Sequence, residues 1–87
     1  MIIGYKKGFE KRTRRLSFDI KRAFAMRLQI FVKDPHHPLL NDHRLTVDWN
    51  GYRSINVTGD WRAVYQPVDA NTIIFVDIDT HHNLYGI

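Results

Sequence analysis

The residues of this chain best suited to chemistry are its histidines and an arginine that follows an Asp-Trp pair. All five histidines lie in residues 34–87, and the segment GDWRAVY (residues 59–65) places Asp60 and Arg62 on either side of Trp61. Histidine titrates closest to neutral pH and can act as a general acid or base. The planar guanidinium of arginine binds phosphate through parallel hydrogen bonds. These residue types therefore suit the cleavage of a phosphodiester.

RNA cleavage without a metal needs a base for the 2′-hydroxyl proton, a cation for the phosphorane oxygens and an acid for the leaving 5′-oxygen. We predict that His37, Asp60 and His81 supply the proton-transfer groups and that Arg62 binds the phosphate. Tyr85, four residues after His81, is predicted to stack on a base or to orient a neighbouring side chain. The prediction requires these positions to converge at one end of a sheet.

Some histidines and Trp61 are better explained by ordinary structural roles. His36 and His43 are interpreted as surface loop histidines, and Trp61 as a core or half-buried support. No cofactor or metal site is predicted, because the histidines lack a carboxylate at ligand spacing and the adjacent His81 and His82 seldom bind one ion. Only the joint occurrence of the candidate residues favours a catalytic site.

The order of local patterns predicts a single α+β domain spanning residues 1–87. A short apolar strand, MIIGY, precedes a basic helix, KKGFEKRTRRL, and a second helix that begins after Ser17 and ends at Asp34-Pro35. Three strands follow, YRSINV, WRAVYQ and TIIFVDI, joined by a tight Thr58-Gly59 turn and a longer PVDAN turn. We expect the helices to cover one face of a twisted, mainly antiparallel sheet of about four strands, with the tail THHNLYGI at its edge.

Helical and strand periodicity predict which side chains form the core. Ile20, Phe24, Leu28 and Phe31 or Val32 make one apolar stripe on the second helix. Alternation along the last strand places Ile74, Val76 and Ile78 on one face. The predicted buried set is therefore Phe24, Leu28, Phe31, Trp61, Ile74 and Val76.

Charge is divided unevenly along the chain. Residues 1–33 hold ten Lys or Arg and two acidic residues, a net charge of +8, whereas residues 34–87 hold three Arg and seven Asp, a net charge of −4. A basic half of this kind is typical of a protein that binds nucleic acid or an acidic partner. The residues predicted to contact RNA are Lys6, Lys7, Lys11, Arg14, Arg15 and Arg53. The absence of cysteine and of a long apolar run predicts a cytoplasmic protein that does not engage a membrane.

Three segments, HPL, GYRS…GDWR and TH-x-x-LYG, occur in an order and spacing that resembles the RelE/ParE superfamily of bacterial toxins, and most closely its YafQ-like branch. The resemblance covers nearly the whole chain. It implies a toxin of a type II toxin-antitoxin system that acts as a metal-independent mRNA interferase in the ribosomal A site. It also implies a cognate antitoxin that neutralises the toxin, in a complex that binds operator DNA.

The resemblance assigns the site to the loop histidine, the strand-mouth residues and the segment after the last strand: His37, Asp60, Trp61, Arg62, His81 and Tyr85. Two positions depart from the family pattern. Asn56 stands where some relatives have a histidine, and an amide cannot transfer a proton, so Asn56 is given a supporting role. Asp79 stands where many relatives have glycine, which adds negative charge beside His81.

Two other functions remain open at this point. One is a ParE-like toxin that poisons DNA gyrase without nuclease action, and it would share the fold. The other is a catalytically impaired module that only binds antitoxin or acts as a co-repressor, which the departure at Asn56 permits. A gyrase poison has no need of proton-transfer groups that converge on one site, so the placement of the candidate residues discriminates between them.

Overall fold

The computed structural model describes residues 1–86 and has the predicted α+β class. Its elements, in chain order, are β1 (Ile2–Tyr5), α1 (Lys7–Arg15), α2 (Phe18–Lys33), β2 (His43–Arg44), β3 (Arg53–Asn56), β4 (Trp61–Asp69), β5 (Thr72–Thr80) and α3 (His81–Tyr85), with 3₁₀ turns at Pro38–Leu40 and Val47–Trp49. The sheet has five strands in the order β1-β5-β4-β3-β2, all antiparallel neighbours except the parallel pair β1 and β5.

The second helix has the ends that its sequence predicts. The Ser17 hydroxyl accepts a hydrogen bond from the backbone N–H of Ile20 at 3.3 Å, which satisfies one free donor of the first turn. The helix ends at Lys33 because Asp34, which precedes a proline, is extended with φ −153° and ψ 93°. Both boundaries are therefore set by local chemistry.

The core lies between the helices and one face of the sheet, and aromatic rings dominate it. Phe75 of β5 contacts Phe24 of α2 edge-on at 5.2 Å between ring centroids, and Phe9 of α1 lies 5.6 Å from the same ring. On the other side, Phe31 contacts Tyr65 of β4 at 5.2 Å. Burial of Phe24 and Phe31 is confirmed, while Leu28 and Trp61 are partly buried and pack against this cluster.

The prediction for β5 was wrong at two positions because the strand contains a bulge. Val64 lies opposite Asp77 and Tyr65 lies opposite Phe75, which leaves Val76 without a partner on β4. The extra residue reverses the alternation of side chains, as a β-bulge does. Ile73, Phe75 and Ile78 are consequently the buried residues, and Ile74 and Val76 are only partly buried.

Three further details differ from the predicted strand plan. The sheet gains the two-residue strand β2, whose pairing with β3 the sequence pattern did not indicate. The turn between β4 and β5 contains only residues 70–71, since β4 continues through Pro67 to Asp69. The tail forms the short helix α3. Within residues 1–86, no helix is both long enough and apolar enough to cross a membrane.

Candidate functional site at one end of the sheet

Antiparallel pairing brings the end of β3, the start of β4 and the end of β5 to the same end of the sheet. Asn56, Arg62 and Asp79 lie directly opposite one another on these three strands. Asp60, in the turn before β4, accepts a hydrogen bond through its backbone oxygen from the N–H of His81 at 2.8 Å. The structure thus brings Asp60, Arg62 and His81 to one end of the sheet.

His81 opens α3, and both ends of this helix are capped. The Thr80 hydroxyl accepts from the N–H of Asn83 at 3.2 Å, and Gly86 ends the helix with φ 74°, a conformation that favours glycine. One turn of helix places Tyr85 beside His81, with ring centroids 4.7 Å apart and planes at 75°. The Tyr85 hydroxyl is buried and makes no hydrogen bond within residues 1–86. The ring of Tyr85 therefore packs edge-on against the imidazole of His81.

A cleft of about 700 Å³ separates α3 from the segment 43–49, and both His43 and His81 line it. The indole N–H of Trp49 donates to the backbone oxygen of Leu84 at 3.1 Å and joins the two walls. Asn83 and Tyr85 complete the side of the cleft formed by α3. His43 and His81 therefore border the same solvent-accessible space.

His43 was interpreted from sequence as a surface loop residue, and the structure brings it to the cleft through β2. Its pairing partner on β3 is Ser54, two residues before Asn56, so His43 shares a sheet face with Asn56 and Arg62. The Nδ1 of His43 lies 2.7 Å from the backbone oxygen of Asn41. Since a carbonyl only accepts, Nδ1 carries the proton, and in the neutral ring Nε2 is the free acceptor.

His37, the predicted loop histidine, does not line this cleft. Its Nδ1 accepts a hydrogen bond from the backbone N–H of Leu39 at 3.1 Å and caps the 3₁₀ turn Pro38–Leu40. Its catalytic role remains a prediction. The two-residue pairing of β2 with β3 is the signal that would have favoured His43, and it is not visible in a local pattern.

Arg62 is the second residue of β4, and its side chain folds back over the preceding turn. Its Nη1 donates to the backbone oxygens of Thr58, Gly59 and Trp61 at 3.1, 3.2 and 3.1 Å. No carboxylate within residues 1–86 forms an ion pair with it. The guanidinium is therefore held in place by neutral acceptors while its charge stays uncompensated.

Arg53, predicted to bind RNA, belongs to a partly buried structural network. Its Nε donates to one carboxylate oxygen of Asp42 at 3.0 Å, and the Tyr65 hydroxyl donates to the other at 2.6 Å. Burial lowers the pKa of Arg53, but the hydrogen bond and charge of Asp42 outweigh it and raise the pKa overall. Burial, together with the hydrogen bond to Asp42, raises the pKa of Tyr65. The network fixes the loop before β2 onto the sheet.

The remaining predicted residues lie both on the sheet and on the first helix. Trp61 is partly buried and packs against the core. The Asn56 amide oxygen is buried without a hydrogen bond within residues 1–86. The other residues predicted to bind RNA are all exposed on or beside α1: Lys6, Lys7, Lys11, Arg14 and Arg15.

Solved structures of bacterial toxins share this fold. The YoeB/ParE toxin from Agrobacterium tumefaciens is 16% identical with a TM-score of 0.75, and the match covers 93% of this chain and 99% of that chain. YafQ from E. coli strain BL21(DE3) is 27% identical with a TM-score of 0.70, covering 97% of each chain. YafQ in the E. coli DinJ-YafQ complex is 28% identical, with a TM-score of 0.67 and 97% of each chain covered.

Comparison with curated protein sequences gives no significant match. The sequence does match the family described as bacterial toxin of type II toxin-antitoxin system, YafQ, over residues 1–86. Because that match spans nearly the whole chain, the protein belongs to the YafQ family of type II toxin-antitoxin toxins.

Proposed function

We propose that this toxin is a metal-independent endoribonuclease that cleaves mRNA on the ribosome, in the A site. The observation that carries the proposal is that His43 and His81 line the same cleft, with Arg62 at the same end of the sheet. The resemblance to RelE-type interferases supports it. Two imidazoles and a guanidinium supply the groups that phosphodiester cleavage requires, without a metal ion.

His43 is assigned as the general base and His81 as the general acid. The hydrogen bond from His43 Nδ1 to Asn41 leaves Nε2 able to take the proton of the 2′-hydroxyl. The 2′-oxygen then forms a bond to phosphorus, the bond from phosphorus to the 5′-oxygen breaks, and protonated His81 gives its proton to that oxygen. The products are a 2′,3′-cyclic phosphate and a 5′-hydroxyl.

Asp60, Arg62 and Tyr85 support this step in different ways. Asp60 holds the start of α3 through its backbone oxygen, and Tyr85 packs against the imidazole of His81. Arg62 stabilises the charge that develops on the phosphorane oxygens, because a preorganised cation is most effective there. The Asp60 side chain is exposed, and we assign it as a second proton acceptor at this end of the sheet.

The partners follow from the family and its solved complex. E. coli YafQ has been solved with DinJ in a toxin-antitoxin complex. We propose that a cognate antitoxin likewise binds and neutralises this toxin in the cytoplasm, and that the complex binds operator DNA. The exposed basic residues of α1 are proposed to contact ribosomal RNA.

The test is cleavage of an mRNA on purified ribosomes, at the Mg²⁺ concentration that keeps the ribosomes assembled, with 5′ ends mapped by primer extension and the end groups of the products identified. His43→Ala and His81→Ala should each lower the cleavage rate by about 10²–10⁴, the usual loss of a general acid or base. His36→Ala, an exposed loop histidine outside the cleft, is the matched control and should cut at the wild-type rate. His37→Ala decides between the two loop histidines and should lose far less activity than His43→Ala.

Each variant must retain the fold, checked by circular dichroism and by thermal unfolding. Full cleavage by both His43→Ala and His81→Ala would contradict the assigned site. Growth arrest with intact transcripts and accumulated gyrase–DNA cleavage complexes would instead support the gyrase-poison function. Products that carry a 3′-hydroxyl and a 5′-phosphate, the ends left by attack of a metal-activated water, would contradict the metal-independent step.

A further inference from the structure

Arg62 and Asp79 are direct cross-strand neighbours, yet they do not form an ion pair. They lie opposite each other on β4 and β5 at the site end of the sheet. Side chains directly opposite on an antiparallel pair are close enough for opposite charges to attract. The Arg62 guanidinium turns instead to three backbone oxygens of its own turn. The carboxylate of Asp79 pairs instead with a cation from another element.

Arg12 of α1 occupies that carboxylate. Its Nη1 donates to Oδ2 of Asp79 at 3.0 Å, and its Nε lies 3.0 Å from Oδ1 of Asp77. The other oxygen of Asp79 accepts from the N–H of Thr80 at 2.8 Å and from the side-chain amide of Asn83 at 3.0 Å. Asp79 is thus fully engaged, and its charge is neutralised from the side of α1.

The two carboxylates that Arg12 neutralises are less exposed to solvent than Arg12 itself. The Asp79 side chain is only 14% exposed and that of Asp77 26%, against 47% for Arg12. Two partly buried carboxylates without a cation are unfavourable and attract the nearest positive group. On β4, the residue directly opposite Asp79 is Arg62, whereas the residue opposite Asp77 is Val64.

We propose that Arg12 is a positioning residue that keeps Arg62 available for phosphate by occupying Asp79. The inference rests on the proposed ribonuclease function, in which Arg62 stabilises the phosphorane. Without Arg12, the carboxylate of Asp79 captures the Arg62 guanidinium, and an arginine paired with a carboxylate no longer offers its charge to a substrate. Arg12 then acts on catalysis without touching the substrate.

The test is a set of variants assayed for ribosome-dependent mRNA cleavage. Arg12→Ala should lower the rate about tenfold or more, up to the loss of about 10²–10³ expected for Arg62→Ala. Adding Asp79→Asn to Arg12→Ala should restore the rate to within about threefold of Asp79→Asn alone, since asparagine keeps an oxygen for Thr80 and Asn83 but cannot pair with Arg62. The matched control adds Asp77→Asn instead, which makes the same charge change and should not restore it.

Two further measurements separate this role from a structural or a substrate-binding one. In an Arg62→Ala background, Arg12→Ala should have no further effect, because residues that act through one group are not additive. The NMR signal of the Arg62 Nε–H should move in Arg12→Ala and return in the Arg12→Ala/Asp79→Asn variant, and this readout does not depend on activity.

The outcomes distinguish the inference from the proposed function. Wild-type protein that cleaves no RNA defeats the ribonuclease assignment, and the NMR signal alone then decides whether Arg12 keeps Arg62 unpaired. An unmoved NMR signal, equal rescue by both aspartate substitutions, or additivity with Arg62→Ala would overturn the inference. Thermal unfolding of every variant identifies any loss of activity that arises from unfolding.

Discussion

At the scale of single residues, the hydrogen bond between Nδ1 of a histidine and the backbone determines which ring nitrogen carries the proton. The Nδ1 of His37 receives a hydrogen bond from Leu39, while the Nδ1 of His43 gives one to Asn41. The two rings therefore carry their proton on different nitrogens when neutral, and only His43 presents a free Nε2 beside the cleft. The type of residue is the same, and the backbone around it assigns the chemistry.

One prediction at the scale of single residues concerns the effect of Tyr65 on stability. Its pKa is raised in the folded protein, so its stabilising effect is fully present below about pH 10, the ordinary tyrosine value, and is lost as the pH rises further. Tyr65→Phe should cost about 1–2 kcal/mol at pH 8, because Asp42 loses a hydrogen bond. It should also lose less stability than the wild type between pH 9 and 11.

Urea unfolding at pH 8 and at pH 10.5 measures both effects. Tyr52→Phe serves as the matched control, since Tyr52 contacts Trp49 and lies outside the hydrogen bonds of Asp42. An identical alkaline loss of stability in Tyr65→Phe and wild type would contradict the explanation.

At the scale of elements, α2 illustrates how one helix face carries the stability of the fold. Phe24 is 7% exposed and contacts the rings of Phe9 and Phe75, whereas Phe18, in the first turn, is 74% exposed. Both substitutions to alanine remove the same atoms from the same helix. They differ only in what surrounds the ring, which makes them a matched pair.

Phe24→Ala should lower the free energy of unfolding by about 3–5 kcal/mol, because it leaves a cavity between α2 and the sheet. Phe18→Ala should change it by about 0.5 kcal/mol or less, as is usual for an exposed position. Denaturant unfolding of both variants checks the prediction. Equal losses would mean that the face of α2 is wrongly assigned.

The elements also show which parts of this structure the sequence could predict. The ends of α2 follow from Ser17 and Asp34-Pro35, which act within one turn, and these were predicted correctly. The bulge at Val76 and the two-residue strand β2 depend on pairing between distant segments, and no local pattern records it. The same reason explains the candidate site: Asp60, Arg62 and His81 sit at strand ends that a local pattern reveals, while the position of His43 depends on β2.

At the scale of the whole molecule, most unpaired positive charges of residues 1–86 lie on or beside the helices, and aspartates of the sheet and its loops are held in ion pairs. Nearly all exposed basic residues lie on or beside α1 and α2, while Asp77 and Asp79 of β5 pair with Arg12. Asp42 is likewise neutralised by Arg53. Within residues 1–86, Arg12 of the basic segment therefore pairs with two aspartates of the acidic segment, and Arg53 pairs with a third. The other basic residues of the two helices form no ion pair with a carboxylate of residues 1–86.

This distribution predicts strongly salt-dependent binding to ribosomes. Replacing Lys7, Lys11 and Arg15 by alanine together should reduce the slope of log affinity against log salt by about two, because each phosphate that a side chain neutralises adds about 0.7–0.9 to that slope. Sedimentation with ribosomes from 50 to 300 mM KCl provides the measurement. A slope unchanged from the wild type would remove these residues from the RNA-binding surface.

The parallel pairing of β1 with β5 also dictates when the toxin can assemble. Ile2 lies opposite Thr72, so the first strand has no partner until the last one has been synthesised, and closing so long a loop slows folding. Phe9 of α1 and Phe24 of α2 likewise cannot complete their packing until Phe75 of β5 is present. A nascent chain that has reached residue 70 has neither β5 nor His81. The fold of residues 1–86 can therefore be completed only after β5 has been synthesised, when nearly all of these residues are already part of the chain.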